Sequence, residues 1–240
     1  MRFYRLIFAA AIVIAAMQAV APPARAADTP TLQADDHVLG NKNAPITIFE
    51  YASLTCPHCA AFASGTLPKL QKDWIDTGKA KLVYRDFPLD QSAVVAAAVA
   101  QCFPPERYFP FIETLFQTQH EWAQGSEAAT KKALAHIARL GGMSQEQFDT
   151  CANNQKLSDA VLNSRLVAQN QYGIDSTPTF FVNGKKVVGD LPYDEFVKYL
   201  EAKSGAAAPS PNGPATAAND RQRGVTATVR NWLSSLMSRT

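Results

Sequence analysis

Two cysteines lie two residues apart in the segment Cys56-Pro57-His58-Cys59, between a strand pattern and a helical pattern. Residues 46–51 alternate β-branched and aromatic side chains, which predicts a strand that ends shortly before this segment. Pro57 suits the first position of a helix. A sulfur at the start of a helix lies beside unpaired N–H groups and the positive end of the helix dipole, so its thiolate is favoured. The sequence therefore predicts an α/β fold that carries a reactive thiol where a strand passes into a helix.

Hydrophobic patterning predicts the order of the other elements. Residues 81–87 have a second strand pattern, and residues 91–173 have helical patterns throughout. Two short β-branched runs joined by Asn183-Gly184 predict a hairpin over residues 179–188. A last helix is expected over residues 193–203. This order indicates an α/β core interrupted by an all-helical insertion.

Two local signals refine the helices. Pro68 falls inside the helical pattern that follows the paired cysteines, and it predicts a kink without an end to the helix. Ser144 is followed three residues later by Gln147, the pattern of a capping box. A helix of the insertion is therefore expected to begin at Ser144.

The first 26 residues have the pattern of a secretory signal peptide. Arg2 and Arg5 precede an apolar run over residues 6–20, and Ala24-Arg25-Ala26 supplies a small-x-small cleavage site. The run is shorter than the ~20 residues that span a bilayer, so a membrane anchor is less favoured. The segment holds three arginines and no acid, which leaves 20 basic and 21 acidic residues from Ala27 onward. With a net charge near −1, we expect no nucleic-acid partner, and we expect export to the periplasm.

Export changes the interpretation of the cysteines, because an oxidising compartment permits disulfides. The chain has four, Cys56, Cys59, Cys102 and Cys151, and three pairings are possible. So few cysteines cannot form a disulfide-stapled scaffold, so at least one pair is expected to serve chemistry. His58 can add a positive charge or a donor near the first sulfur, which lowers its pKa and favours an oxidising disulfide. One alternative for Cys56 and Cys59 is half of a zinc site, but the sequence lacks further ligands at matching spacing. A purely structural disulfide is the other alternative. Haem attachment is excluded, because it requires a histidine directly after the second cysteine and Ala60 occupies that position.

Three segments together resemble the DsbA-like family of exported thioredoxin-fold oxidoreductases. They are Phe49-Glu50-Tyr51, Cys56-Pro57-His58-Cys59 and Thr177-Pro178-Thr179-Phe180. The resemblance covers about residues 35–203. It implies a thioredoxin-like fold with an inserted all-helical domain. The expected divisions are a signal peptide (1–26), a polar lead-in (27–43), a thioredoxin-like core (44–89 and 174–203), a helical insertion (90–173), and a linker and tail (204–240).

The resemblance also implies roles for residues outside the cysteine motif. It implies a cis peptide bond at Pro178 beside the active-site disulfide, and a backbone at Thr177 that binds an extended substrate segment. An acid occupies the family position of Glu50, where a buried carboxyl can exchange a proton with Cys59; an exposed edge position is the alternative.

The remaining cysteines, Cys102 and Cys151, both fall in the predicted insertion. A structural disulfide between neighbouring helices is the favoured interpretation, since some family members carry one. Two free buried thiols, or a regulatory redox pair, are the alternatives. No spacing of His37, His120 or His136 suggests a metal site.

These features predict a periplasmic thiol:disulfide oxidoreductase that acts mainly as a dithiol oxidase. Cys56 is the expected nucleophile and Cys59 the resolving thiol; the Cys56–Cys59 disulfide replaces any bound cofactor. Reduced exported proteins are the expected substrates of a monomer that a membrane redox partner reoxidises. An isomerase or reductase is a rival, although such relatives usually carry an N-terminal dimerisation domain and only about 20 residues lie between Ala27 and Ile46. A peptide-binding or metal-handling module without turnover is the other rival.

The C-terminal segment changes composition after Ser204. Residues 205–213 are rich in Ala, Pro, Ser and Gly, as in a flexible linker. Residues 214–240 carry four arginines, one acid and apolar residues at near-helical spacing. A solvated tail is expected there, with a surface or partner-binding helix as the alternative.

Overall fold

Residues 29–204 are described by a computed structural model, so the predicted signal peptide (1–26) and the predicted tail after Ser204 lie outside the described residues. The strands are β1 (His37–Leu39), β2 (Ile46–Ala52), β3 (Ala80–Asp86), β4 (Thr179–Val182) and β5 (Lys185–Val188). The helices are α1 (Pro57–Gly65), α2 (Leu67–Leu70), α3 (Gln91–Ala100), α4 (Pro105–Gln117), α5 (Gln119–Trp122), α6 (Glu127–Leu140), α7 (Gln145–Ala152), α8 (Gln155–Tyr172) and α9 (Tyr193–Ser204).

The strands form one mixed sheet in the order β1-β3-β2-β4-β5. β2 and β3 are parallel, and the other neighbouring pairs are antiparallel. α3 to α8 lie in sequence between β3 and β4, so the α/β core with a helical insertion is confirmed. Among residues 29–204, no helix has the length and apolar character to cross a bilayer.

The hairpin of β4 and β5 has the predicted bounds. Val182 pairs with Lys185, and the intervening Asn183 and Gly184 have φ of 51° and 85°. Both angles are in the left-handed region, which Asn and Gly tolerate best. This chemistry, read from two residues, is sufficient to place both strands.

The helix after the cysteine motif is irregular at Thr66, two residues before Pro68. α1 ends at Gly65, and α2 begins at Leu67 with Pro68 in its first turn, where the missing N–H is not needed. The chain then continues as a π-helical turn over Gln71–Ile75. Thr66 keeps helical angles and its carbonyl accepts from the Leu70 N–H, so the helix continues past Pro68 as predicted, and the irregularity lies in the turn before the proline.

Four helices of the insertion, α3, α6, α7 and α8, begin at a polar side chain that caps the first turn. The Ser144 hydroxyl accepts from the Gln147 N–H while the Gln147 side chain accepts from the Ser144 N–H, so the predicted capping box is confirmed. α8 starts at Gln155, because the Asn154 side chain accepts from the Leu157 N–H and caps the helix. The short helix α5 was not predicted, and its Trp122 is completely buried.

The N-terminal lead-in contains a strand that the sequence analysis missed. β1 pairs with β3, placing His37 opposite Tyr84. Arg85 holds the preceding segment, since its guanidinium donates to both Asp36 carboxylate oxygens at 2.8 Å and to the Tyr51 hydroxyl at 2.8 Å. A three-residue strand between polar residues is too short for a pattern of alternation, so the tertiary contact decides its conformation.

Candidate active site

Cys56 occupies the N-cap of α1, and Cys59 lies in the first turn of that helix. Cys56 keeps extended backbone angles, φ −82° and ψ 120°, and Pro57 begins the helix. Both cysteines are free thiols and both are buried. The first hydrogen bond of the helix is donated by the Ala60 N–H to the Cys56 carbonyl. The Cys56 sulfur therefore lies at the end of α1 where N–H groups lack helical partners.

Hydrogen bonds to the Cys56 sulfur lower the pKa of its thiol to about 5. The largest contribution is the donor thiol of Cys59, which outweighs the opposing effect of burial. The Thr177 side chain and the backbone N–H groups of Cys59 and His58 add further donors. Burial and the neighbouring Cys56 raise the pKa of Cys59, so the pair divides into one thiolate and one thiol.

The His58 ring lies away from this cluster of donors. Its side chain is 71% exposed, and Nδ1 lies 3.2 Å from the Asp190 carboxylate in the loop before α9. The structure therefore connects His58 to Cys56 through the backbone N–H, and it connects the ring to Asp190. The sequence analysis missed Asp190, because 132 residues separate the two side chains and no local pattern links them.

Thr177 lies against the Cys56 sulfur, although the two residues are 121 positions apart in sequence. The Thr177 carbonyl is 3.4 Å from Cys56 Sγ, and the Thr177-Pro178 bond is cis. The Pro178 carbonyl accepts from the Gly189 N–H at 2.9 Å, and β4 starts at Thr179. The backbone at Thr177 thus lies at the end of a strand beside the thiol, a position from which it can pair with an extended peptide.

Glu50 is in the core of the sheet, behind the cysteine pair. Its side chain is 2% exposed, and burial raises the pKa of its carboxyl to about 8. The Oε1 atom has no hydrogen-bond partner. The charge of Glu50 acts on Cys59 and raises the pKa of that thiol. A buried acid near neutrality beside a thiol is arranged to exchange a proton with it.

Gln119 is a site residue that the sequence analysis did not identify. Its Nε2 donates to the Leu54 carbonyl at 2.8 Å and to the Cys56 carbonyl at 3.0 Å. The residue stands at the start of α5, inside the helical insertion. An isolated glutamine between two helical patterns gives no sequence signal for a contact made across 63 residues.

The other two cysteines form a disulfide that joins the end of α3 to α7. The Cys102 and Cys151 sulfurs are 2.07 Å apart, with 49 residues between the two positions. Cys151 is buried in the hydrophobic cluster of the insertion, and the partly buried Cys102 packs against that cluster. Within residues 29–204, no group of three or more His, Cys, Asp or Glu side chains is arranged to hold a metal ion.

The thiolate of Cys56 is directly testable by titration. We expect its ultraviolet absorbance in the reduced protein to titrate in one step with a midpoint near pH 5, because Cys59 stays protonated. Thr177→Val removes one donor and should raise this midpoint. Thr77→Val, which loses a hydroxyl bonded to the Asp73 and Trp74 carbonyls, should leave it unchanged. A midpoint near that of an ordinary thiol, ~8.5, would contradict the assigned donors.

Comparison with known proteins identifies relatives of the same architecture. A thioredoxin family model matches residues 13–202. The Bacillus subtilis protein named Disulfide bond formation protein D is 30% identical over 176 residues, which are 68% of this chain and 75% of that protein. A Rickettsia typhi relative, provisionally named a protein-disulfide oxidoreductase, is 37% identical over 152 residues. The chain spans 55% of the length of that relative.

Solved structures give the same result. The crystal structure of Wolbachia pipientis alpha-DsbA1 is 33% identical to this chain, covers 72% of it and 93% of its own length, and superposes with a TM-score of 0.69. The oxidised BdbD structure from Bacillus subtilis is 27% identical, with a TM-score of 0.62, and covers 70% of this chain and 91% of its own. The family model matches residues 13–202, and the relatives and solved structures agree with it, so the chain belongs to the DsbA-like family of thioredoxin-fold proteins.

Proposed function

We propose that this protein is a thiol:disulfide oxidoreductase that acts mainly as a dithiol oxidase. The observation that carries the proposal is the set of donors around the Cys56 sulfur, which favours its thiolate. A dithiol whose reduced form is stabilised gives up its disulfide readily, so the oxidised protein is a strong oxidant. The names of the Bacillus and Rickettsia relatives agree with this class of reaction.

In the proposed reaction, a substrate thiolate attacks Cys56 Sγ of the Cys56–Cys59 disulfide. The Cys56–Cys59 bond breaks, a substrate–Cys56 bond forms, and the Cys59 sulfur takes a proton, for which Glu50 is the nearest buried acid described above. A second substrate thiolate then attacks the substrate sulfur of the mixed disulfide and displaces Cys56 as a thiolate. The substrate is oxidised by two electrons and the cysteine pair is reduced.

The substrate is proposed to be the extended chain of a reduced exported protein. The Thr177 backbone lies beside Cys56, two residues before the start of β4, and this position supports pairing with such a segment. The signal-peptide pattern of residues 1–26 supports a periplasmic location. The reaction leaves both cysteines reduced, so turnover requires an oxidant, and we propose that a membrane redox partner supplies it.

The redox equilibrium of Cys56 and Cys59 tests this function. We expect the purified protein, equilibrated in glutathione buffers and quantified by thiol trapping, to have a potential well above that of the glutathione couple. Trp fluorescence supplies a second readout, checked in a Cys56→Ser variant that cannot form the pair. A potential near or below about −270 mV, the value for thioredoxin, would contradict the oxidase and indicate a reductase.

A further inference from the structure

A cavity lies between the sheet and α4, and Glu50 is among the residues that line it. Its volume is about 780 Å³, within the range of sites for small molecules. Apolar residues from β1, α1, α2, β3 and α4 form most of the wall, and they include Leu39, Ala63, Leu67, Leu82, Phe109 and Phe116. The cavity therefore offers a largely apolar environment large enough for a small molecule.

Two buried polar groups line this cavity, and each has an atom without a hydrogen-bond partner. They are Oε1 of Glu50 and the hydroxyl of Tyr84. The residues are paired in the register of β2 and β3, so their side chains leave the same face of the sheet. Glu50 is 2% exposed and Tyr84 is 4% exposed. Buried polar atoms are almost always satisfied in proteins, so two of them beside one cavity indicate a missing polar partner.

The charges at the cavity select the sign of that partner. Asp76, Glu106 and Glu113 line it as acids, and Lys72 is the one base among its lining residues. The groups that face Glu50 from inside the core, namely Cys59 on α1, Tyr84 on β3 and Tyr108 on α4, carry no positive charge. Asp86 on β3 adds another acid to the same region. An anion is therefore repelled, and a cation is attracted.

We propose that this cavity binds a small molecule that carries one ammonium group on an apolar body, with the ammonium against the Glu50 carboxylate and the Tyr84 hydroxyl oxygen. An ammonium has three N–H donors, so it can donate to both of these acceptors at once. The apolar body lies along Leu67 and Leu82. The Phe109 and Phe116 rings add faces that attract a cation.

Binding of this kind is linked to the ionisation of Glu50. The carboxyl, whose pKa burial raises to about 8, must lose its proton to receive the ammonium. The affinity should therefore rise about tenfold per pH unit up to that value and level off above it. Binding itself does not require the proposed oxidoreductase function. Its effect on turnover does rest on that function, because an ammonium at Glu50 occupies the group proposed to supply the proton to Cys59.

Three probes of one shape test the proposal by calorimetry on the reduced protein. At pH 8.5 we expect 4-phenylbutylamine to bind at least tenfold more tightly than 4-phenylbutanol, and 4-phenylbutyrate to bind most weakly. Between pH 8 and pH 6 the amine should lose its advantage while the affinity of the alcohol stays constant. Equal affinity of amine and alcohol, preference for the carboxylate, or no binding of the amine up to about 10 mM would each overturn the proposal.

Variants locate the binding. Glu50→Gln keeps the shape of the side chain but cannot ionise, so the amine should bind it no more tightly than the alcohol does, at every pH. Leu67→Trp narrows the cavity from its wall and should reduce the affinity for both probes at least tenfold. Leu162→Trp places the same large side chain on the exposed face of α8, where Leu162 is 42% exposed, and should change neither. An equal effect of the two tryptophan variants would place the probe outside the cavity.

A lysine side chain of a peptide has the same ammonium chemistry as a free amine. Nα-acetyl-lysine methylamide, used as a fourth probe, separates the two sources. We expect it to bind at least tenfold more weakly than 4-phenylbutylamine, because its polar backbone fits the apolar wall poorly; the opposite order would overturn the assignment to a small molecule. All these measurements use protein without a redox substrate, so a failure to bind and a failure to oxidise thiols are observed separately.

Discussion

Replacing Cys56 with serine is expected to abolish disulfide transfer, with the rate of oxidation of a reduced dicysteine peptide falling at least about a thousandfold, to the background rate. A serine oxygen cannot form or exchange a disulfide bond. The only sulfur left in the pair, Cys59, is completely buried and holds its proton, so it cannot replace the nucleophile. Stopped-flow or chromatographic assay of peptide oxidation measures the effect.

Cys59→Ser is the matched control for this result. It leaves Cys56 in place but removes the sulfur with which Cys56 forms its own disulfide. The Cys56 thiolate should therefore attack an added peptide disulfide, displace one peptide sulfur as a thiolate, and remain in a mixed disulfide that mass spectrometry detects. Full retention of the biological function by Cys56→Ser would instead indicate a peptide-binding or metal-handling module that uses the same groove without turnover.

Removing the Cys102–Cys151 disulfide is expected to lower the free energy of unfolding far more than removing the Cys56 and Cys59 pair does. The bridge closes a loop of 49 residues, which corresponds to about 4 kcal/mol in the chain-entropy model of cross-links. In a domain of this size, this predicts a decrease in Tm of roughly 8–16 °C for a Cys102→Ser, Cys151→Ser double variant. Urea unfolding at constant redox state measures the change in the free energy of unfolding.

The control for the disulfide is the same measurement on Cys56→Ser, Cys59→Ser, which removes the other pair. A disulfide between Cys56 and Cys59 closes no long loop, so the free energy of unfolding of this variant should lie within about 1 kcal/mol of that of the parent. Unchanged stability of the Cys102 and Cys151 double variant would contradict a structural bridge. If the variant without Cys102 and Cys151 kept its stability but changed the redox potential of the Cys56–Cys59 pair, Cys102 and Cys151 would be better explained as a regulatory redox pair.

Local chemistry was sufficient to predict several parts of the fold. The Asn183-Gly184 turn placed both strands of the hairpin, and the Ser144 and Gln147 capping box placed the start of α7. The same holds for the N-cap position of Cys56, which follows from a strand pattern and a proline. Each of these features depends on residues within a few positions of one another, where turn and cap preferences act directly.

Most contacts between distant segments could not be predicted from pattern and spacing, and the position of Thr177 beside Cys56 was expected only from the family resemblance. β1 exists because His37–Leu39 meets β3, and the position of the His58 ring follows from Asp190. The burial of Glu50 was one of two interpretations of an acid in an apolar strand; packing decided between them. Pattern and spacing describe one segment at a time, so they identified the sulfur chemistry but not its surroundings.

The bond from Gln119 to the Leu54 and Cys56 carbonyls limits how far this protein can be shortened by engineering. Both cysteines of the motif belong to the same packed cluster as the insertion, so excising residues 90–173 would leave the ends of the reactive loop without a donor and expose the wall behind Cys59. A miniature built from the strands and the α1 and α9 helices alone should keep the motif in its sequence and lose the conformation that makes it reactive. In this chain the inserted helices hold the loop that carries the cysteine pair, so a shortened protein without them should contain a dithiol that lacks these supporting contacts.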